Sequence, residues 1–166
     1  MILGMSVSTF TLVHVAISLV GIFSGLVVLF AIINSNKLDG WTVVFLTTTV
    51  LTSVTGFFFP RDHILPSHIV GVISLVVLGI AIFALYARHL ASHWRWIYVA
   101  SAVSALYLNV FVLVFQTFLK VPFLNALAPK QSEPPFAIAQ VTALVTFVVL
   151  GIVAAKSFRP ETKASG

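Results

Sequence analysis

The sequence predicts an all-α integral membrane protein: a single bundle of five transmembrane helices, N-terminus outside and C-terminus cytoplasmic. Three observations carry this expectation. Five long apolar segments, at about 9–33, 41–59, 66–87, 96–119 and 135–155, contain no Asp, Glu, Lys or Arg. Only 8% of the 166 residues are charged and mean hydropathy is +1.12, whereas a soluble domain needs roughly 25% charged residues to keep its surface wet. The basic residues, finally, divide unevenly between the links on the two sides.

The same composition narrows the chemistry. There is no Cys, so disulfides and thiolate metal sites are excluded. The net charge of +5 does not point to nucleic acid, because the Lys and Arg residues are scattered over loops and tail without a basic stripe. The first basic residue is Lys37, too late for a signal peptide's basic start, so the first apolar run reads as a retained helix.

The first segment, 9–33, exceeds the roughly 20 residues needed to span a bilayer. His14, Ser18, Gly21 and Gly25 fall on one face, and Gly21-Ile-Phe-Ser-Gly25 is a GxxxG pattern that lets another helix approach. A polar turn, 34–40, follows. The second segment, 41–59, is rich in hydroxyls, with Thr48, Thr52 and Thr55 on one face; back-bonding to the preceding turn is the expected use, a polar track the alternative. The third, 66–87, opens on Pro66, suited to a first turn. A basic aromatic turn, Arg88 to Arg95, leads to the fourth, 96–119. The stretch 120–133 is too short and broken to span and suits the interface. The fifth, 135–155, follows Pro134-Pro135. These make one transmembrane domain, 1–156, and a polar tail, 157–166, expected to be mobile.

Five spans put Lys37, Arg88, Arg95, Lys156, Arg159 and Lys163 on one side and Arg61, Lys120 and Lys130 on the other. The positive-inside rule makes the first side cytoplasmic, with Trp41, Trp94 and Trp96 as interfacial anchors. In general look the chain resembles small inner-membrane proteins of bacteria, which implies that localisation.

The topology gathers polar residues at the outer end: His14, Arg61, Asp62, His63, His68, Gln116 and Lys120. Polar groups in hydrocarbon need to face the bundle and find partners, so these line the expected outward pocket for a small polar or anionic ligand. Imidazoles of His14, His63 and His68, with Asp62 or Glu133, could instead hold a divalent metal, and His14 with His68 could be axial ligands to haem. On the other side, His89 and His93 are four apart, but between Arg88 and Arg95 they are expected to meet lipid phosphates. No catalytic motif is present, so the reading leans away from an enzyme. Two alternatives stand beside the pocket: an accessory or assembly subunit docking with other membrane subunits or copies of itself, and a small ion- or proton-coupled carrier. Membrane lipids are the expected surroundings, and no nucleic acid.

Overall fold

The computed structural model describes residues 1–60 and 66–160. Its elements are α1 (Val7–Ile33), α2 (Asp39–Gly56), α3 (Pro66–Ile82) running into a single π-helical turn (Phe83–Ala87), α4 (Trp94–Lys120), a short α5 (Pro122–Leu127) and α6 (Pro134–Ser157). Four helices are long and apolar enough to cross a membrane: Val7–Ile33, His68–Ala87, Trp94–Lys120 and Pro134–Ser157, with mean hydropathy between 2.1 and 2.8. The chain is an all-α, multi-pass membrane protein. α2 does not reach that apolarity, being the hydroxyl-rich helix.

The helix ends differ from the sequence expectation for local reasons. α2 starts at Asp39, whose carboxylate sits in the first turn, where it complements the positive end of the helix dipole. It stops at Gly56, because Pro60 biases Phe59 away from helical geometry. α4 stops at Lys120 ahead of Pro122, and Asn125 Nδ2 reaches back to donate to the Phe118 and Leu119 carbonyls at 3.3 Å each. Those carbonyls lack partners inside the helix. The start of the tail is docked rather than loose. Phe158 is 1% exposed, and Ser35 Oγ both donates to the Arg159 carbonyl at 3.0 Å and accepts the Arg159 N–H at 2.9 Å.

Successive long helices run antiparallel. We call the end holding the N-terminus and the α2–α3 and α4–α6 links the amino end, and the other the tail end. α4 is the hub, packed on α1, α2, α3, α5 and α6. Of an 18-residue apolar window in α4, 44% is buried, against 6% for that of α6. The GxxxG pattern on α1 faces both neighbours: a Cβ on Gly21 would lie 3.2 Å from Thr48 Oγ1, and one on Gly25 would lie 2.6 Å from Leu106 Cδ1 and 2.8 Å from Phe45 Cε2. Toward the tail end the interior is mainly apolar, with Val28, Leu29, Phe45, Val99 and Leu106 among its closely buried members, and Ser24, Thr42 and Ser101 buried beside them.

Candidate functional site: a polar seam between α1, α2 and α4

His14 anchors the seam. Its Nδ1 lies 2.8 Å from Thr55 Oγ1, on the facing turn of α2. The Thr55 hydroxyl is also 2.6 Å from the Leu51 carbonyl oxygen, a distance at which its single proton must lie between the two oxygens. Thr55 therefore accepts from His14 Nδ1–H, which in the neutral imidazole leaves Nε2 as the unprotonated nitrogen. The Nε2 lone pair is left without a hydrogen-bond partner among the described residues. The ring is fixed from the side by Phe59, edge-on at 5.1 Å, and Phe59 is seated in turn on the buried Phe10, also at 5.1 Å. Gly56 leaves room for it, its absent Cβ being 3.9 Å from His14 Cε1. Ser18 donates to the His14 backbone carbonyl at 2.7 Å and so leaves the ring alone.

Below His14 the polar groups continue toward mid-depth. The pairs 14/55 and 21/48 fix an antiparallel register that brings Thr52 opposite the turn of α1 between them. Thr48 and Thr55 back-bond to Val44 and Leu51, as expected for threonine in an apolar helix. Thr52 does not: its hydroxyl is buried and unpartnered. One turn lower, Asn109 Nδ2 on α4 donates to Thr49 Oγ1 on α2 at 3.3 Å, both residues being buried. Gly21 admits this crossing, with Asn109 Nδ2 3.6 Å from where its Cβ would be. Beneath it, Gly25, Phe45 and Leu106 close the interior, and the polar column ends.

At the mouth, Lys120 is exposed at the end of α4 and lies within Coulombic reach of the His14 ring. Gln116, half-buried one turn below, makes no hydrogen bond among the described residues. His68 is at the mouth of α3, its ring 5.7 Å from that of Phe57. Phe57 packs over Gly71, which its ring approaches to 3.1 Å from the missing Cβ. Two different phenylalanines thus flank the two histidines. Arg61, Asp62 and His63 lie outside the described residues. Glu133 turns into its own loop, accepting the backbone N–H groups of Lys130 at 3.2 Å and Ser132 at 3.1 Å. Desolvation pushes its carboxyl up, but the N–H groups of Ser132, Glu133 and Lys130 and the Lys130 charge outweigh this and hold it below the ordinary value. No three His, Asp or Glu side chains converge as a metal-ligand group among the described residues.

Lys120 is thus within Coulombic reach of His14, while the Glu133 carboxylate is taken up by its own loop. Thr55, the partner that sets the His14 tautomer, was readable in sequence only as part of a threonine face. Counting equal steps from the 34–38 link would pair 14 with 58 rather than 55, so the α1–α2 register that joins them was not to be read from the link alone. Farther around the hub, Gln140 Nε2 donates to the Phe111 carbonyl at 3.1 Å, and its Oε1 is buried without a donor. At the tail end, the His93 ring lies 5.7 Å from that of Trp94. No protein-family model, curated protein or solved structure matches this chain.

Proposed function

We propose that the chain is a five-span inner-membrane protein, N-terminus outside, that binds a small polar or anionic ligand at the amino end of the α1–α2–α4 seam. One observation carries the reading: the polar column is blind. It runs from Lys120 and His14 down to Asn109 and Thr49, then meets the Gly25–Phe45–Leu106 contact, where added atoms would approach within 2.6 Å. A column open at one end supports binding, whereas a carrier needs polar groups continuing past the midplane. His14 Nε2 offers an acceptor and Lys120 a cation, a pairing suited to a ligand carrying both a donor and negative charge. The same Nε2 is the nitrogen that a divalent metal or haem iron would take, so these remain the runner-up ligands. α2 supports the fifth crossing: its 18 residues span about 27 Å and lie along α1 from Thr55 to Phe45. The six-to-three basic asymmetry supports the orientation and the bacterial inner membrane.

The accessory-subunit reading draws on α6, of whose 18-residue apolar window 6% is buried. The two readings separate in one experiment on the purified chain in nanodiscs. Thermal unfolding is followed against small carboxylates, phosphate esters, divalent cations and haem, together with visible absorption and metal content. The binding reading expects at least one stabilising ligand whose effect is lost in His14→Ala and Lys120→Gln but kept in Gln140→Leu. Stabilisation by no ligand, with co-purification of a stoichiometric membrane partner, would replace it with the accessory reading.

A further inference from the structure

Independently of the amino-end site, we infer that the α3–α4 turn holds one anionic phospholipid, its phosphate bound by Arg95 and Arg88. Both guanidinium groups lie over indole rings, Arg88 at 5.1 Å from the Trp94 centroid and Arg95 at 5.8 Å from that of Trp96. Stacking of this kind holds the flat cation in one orientation and leaves its edge donors available. Neither guanidinium has a carboxylate within ion-pair distance among the described residues, where the ion pair present is Lys37 with Asp39. Arg95 Nε is moreover buried with no acceptor. A phosphate oxygen is the acceptor whose geometry fits the arginine fork, and with Nε closed to solvent it would be met by the terminal guanidinium nitrogens.

The platform is built to stay in place. Trp94 is held edge-on by Phe83 at 5.3 Å, and Phe83 opens the π-helical turn, whose Ala84 and Leu85 are buried in the core. Leu90 N–H closes back on the Ala84 carbonyl at 3.1 Å. Membrane-side of the cations, Phe83 and Tyr86 are about half exposed, as is Trp96. These apolar faces lie where the acyl chains of a lipid with its headgroup at the turn would run, and this favours a lipid over a free phosphate ion. The site therefore recognises an amphiphile: one phosphate and the chains attached to it.

The test uses the full chain in neutral detergent. Thermal unfolding and native mass spectrometry are followed on adding short-chain phosphatidylglycerol, phosphatidylcholine or inorganic phosphate. Phosphatidylglycerol should stabilise saturably with one lipid retained per chain, and the other two should not. Arg95→Gln should weaken the effect about tenfold or more, as expected when one charged hydrogen-bonded contact is lost. Arg95→Lys should weaken it nearly as much, because an ammonium lacks the planar fork. Lys156→Gln, a cation at the same end on α6, should leave it unchanged. If Arg95→Gln does not fold, Arg95→Lys carries the comparison. Equal stabilisation by phosphatidylcholine, equal stabilisation by inorganic phosphate, or equal weakening by Arg95→Gln and Lys156→Gln would each overturn the inference.

Discussion

The amino half and the tail half of the bundle interior are built from the same three helices, α1, α2 and α4, yet they are held together differently. In the amino half, the contacts across helices are hydrogen bonds between side chains: His14 to Thr55 and Asn109 to Thr49. In the tail half they are mainly close packing, with Gly25 pressed against Phe45 and Leu106, beside one buried polar pair, Tyr98 with Thr42. Lipid tails are as apolar as leucine, so burial alone drives neither half together. Packing contacts and interhelical hydrogen bonds are what remain. The tail half uses mainly the first and is closed. The amino half uses the second, and its hydrogen bonds leave one imidazole nitrogen and one threonine hydroxyl unclaimed. The difference leaves a packed interior in one half and unclaimed polar groups in the other.

That contrast can be broken most sharply at Phe45. Phe45→Ala empties the closed half and should cost about 3 kcal/mol, the low end for such a truncation, because the transfer from water that adds to it in soluble cores is missing here. Steric trapping or detergent unfolding measures it. Gly25→Ala comes next. Its methyl would meet the Phe45 ring and Leu106 below 3.0 Å, an overpacking of about 1–3 kcal/mol only partly offset by the roughly 1 kcal/mol that alanine gains over glycine in a helix. Gly21→Ala, whose methyl would meet the Thr48 and Thr49 hydroxyls at 3.2 and 3.3 Å and Asn109 Nδ2 at 3.6 Å, should cost less than Gly25→Ala, because none of these approaches falls below 3.0 Å. Equal effects at Gly21 and Gly25 would dissolve the distinction between halves.

In the amino half the effects are smaller. A double-mutant cycle of Asn109→Leu and Thr49→Val should give a coupling of about 0.6 kcal/mol, and no more than about 1.7. Thr55→Val should cost a similar amount and also release the His14 tautomer, which nitrogen NMR of the imidazole reads directly. Persistence of the Nδ1–H form in Thr55→Val would show that something other than Thr55 sets it. The smallest effect lies at Glu133. Its carboxyl is held below the ordinary value of 4.5, so its clasp on the 130–133 loop is complete above that value. The clasp is lost as pH falls through the lower folded-state value. The protection factors of the Lys130 and Ser132 amides, which divide out the intrinsic pH dependence of exchange, should fall over that acid range, and in Glu133→Gln they should be low at every pH.

Four of the five expected spans were legible because charge exclusion from hydrocarbon is a local property, visible wherever a long run lacks Asp, Glu, Lys and Arg. Helix ends were less so. Residues 57–59 look as apolar as the helix before them, and only the steric reach of Pro60 backwards marks where α2 must stop. Phe158 was hidden in a polar tail, since what buries it is Tyr98 on α4, sixty residues away. For the site, sequence brought out His14 and Lys120, because a histidine or lysine in such surroundings is conspicuous. It could not separate Thr55, the histidine's partner, from Thr48 and Thr52 on the same face. Nor could it show that Glu133 is satisfied by backbone N–H groups, which every residue carries and no sequence displays.

The Ser35–Arg159 clasp sets a schedule for the molecule's birth. Its two residues are 124 positions apart, so at roughly 5–20 residues per second the ribosome needs about 6–25 seconds to bring the second to the first. The α1–α2 hairpin can zip along Gly25 and Phe45 almost as soon as it is made. The flank of α1 that α6 covers, and the link at Ser35, must wait in the bilayer for the last helix to arrive.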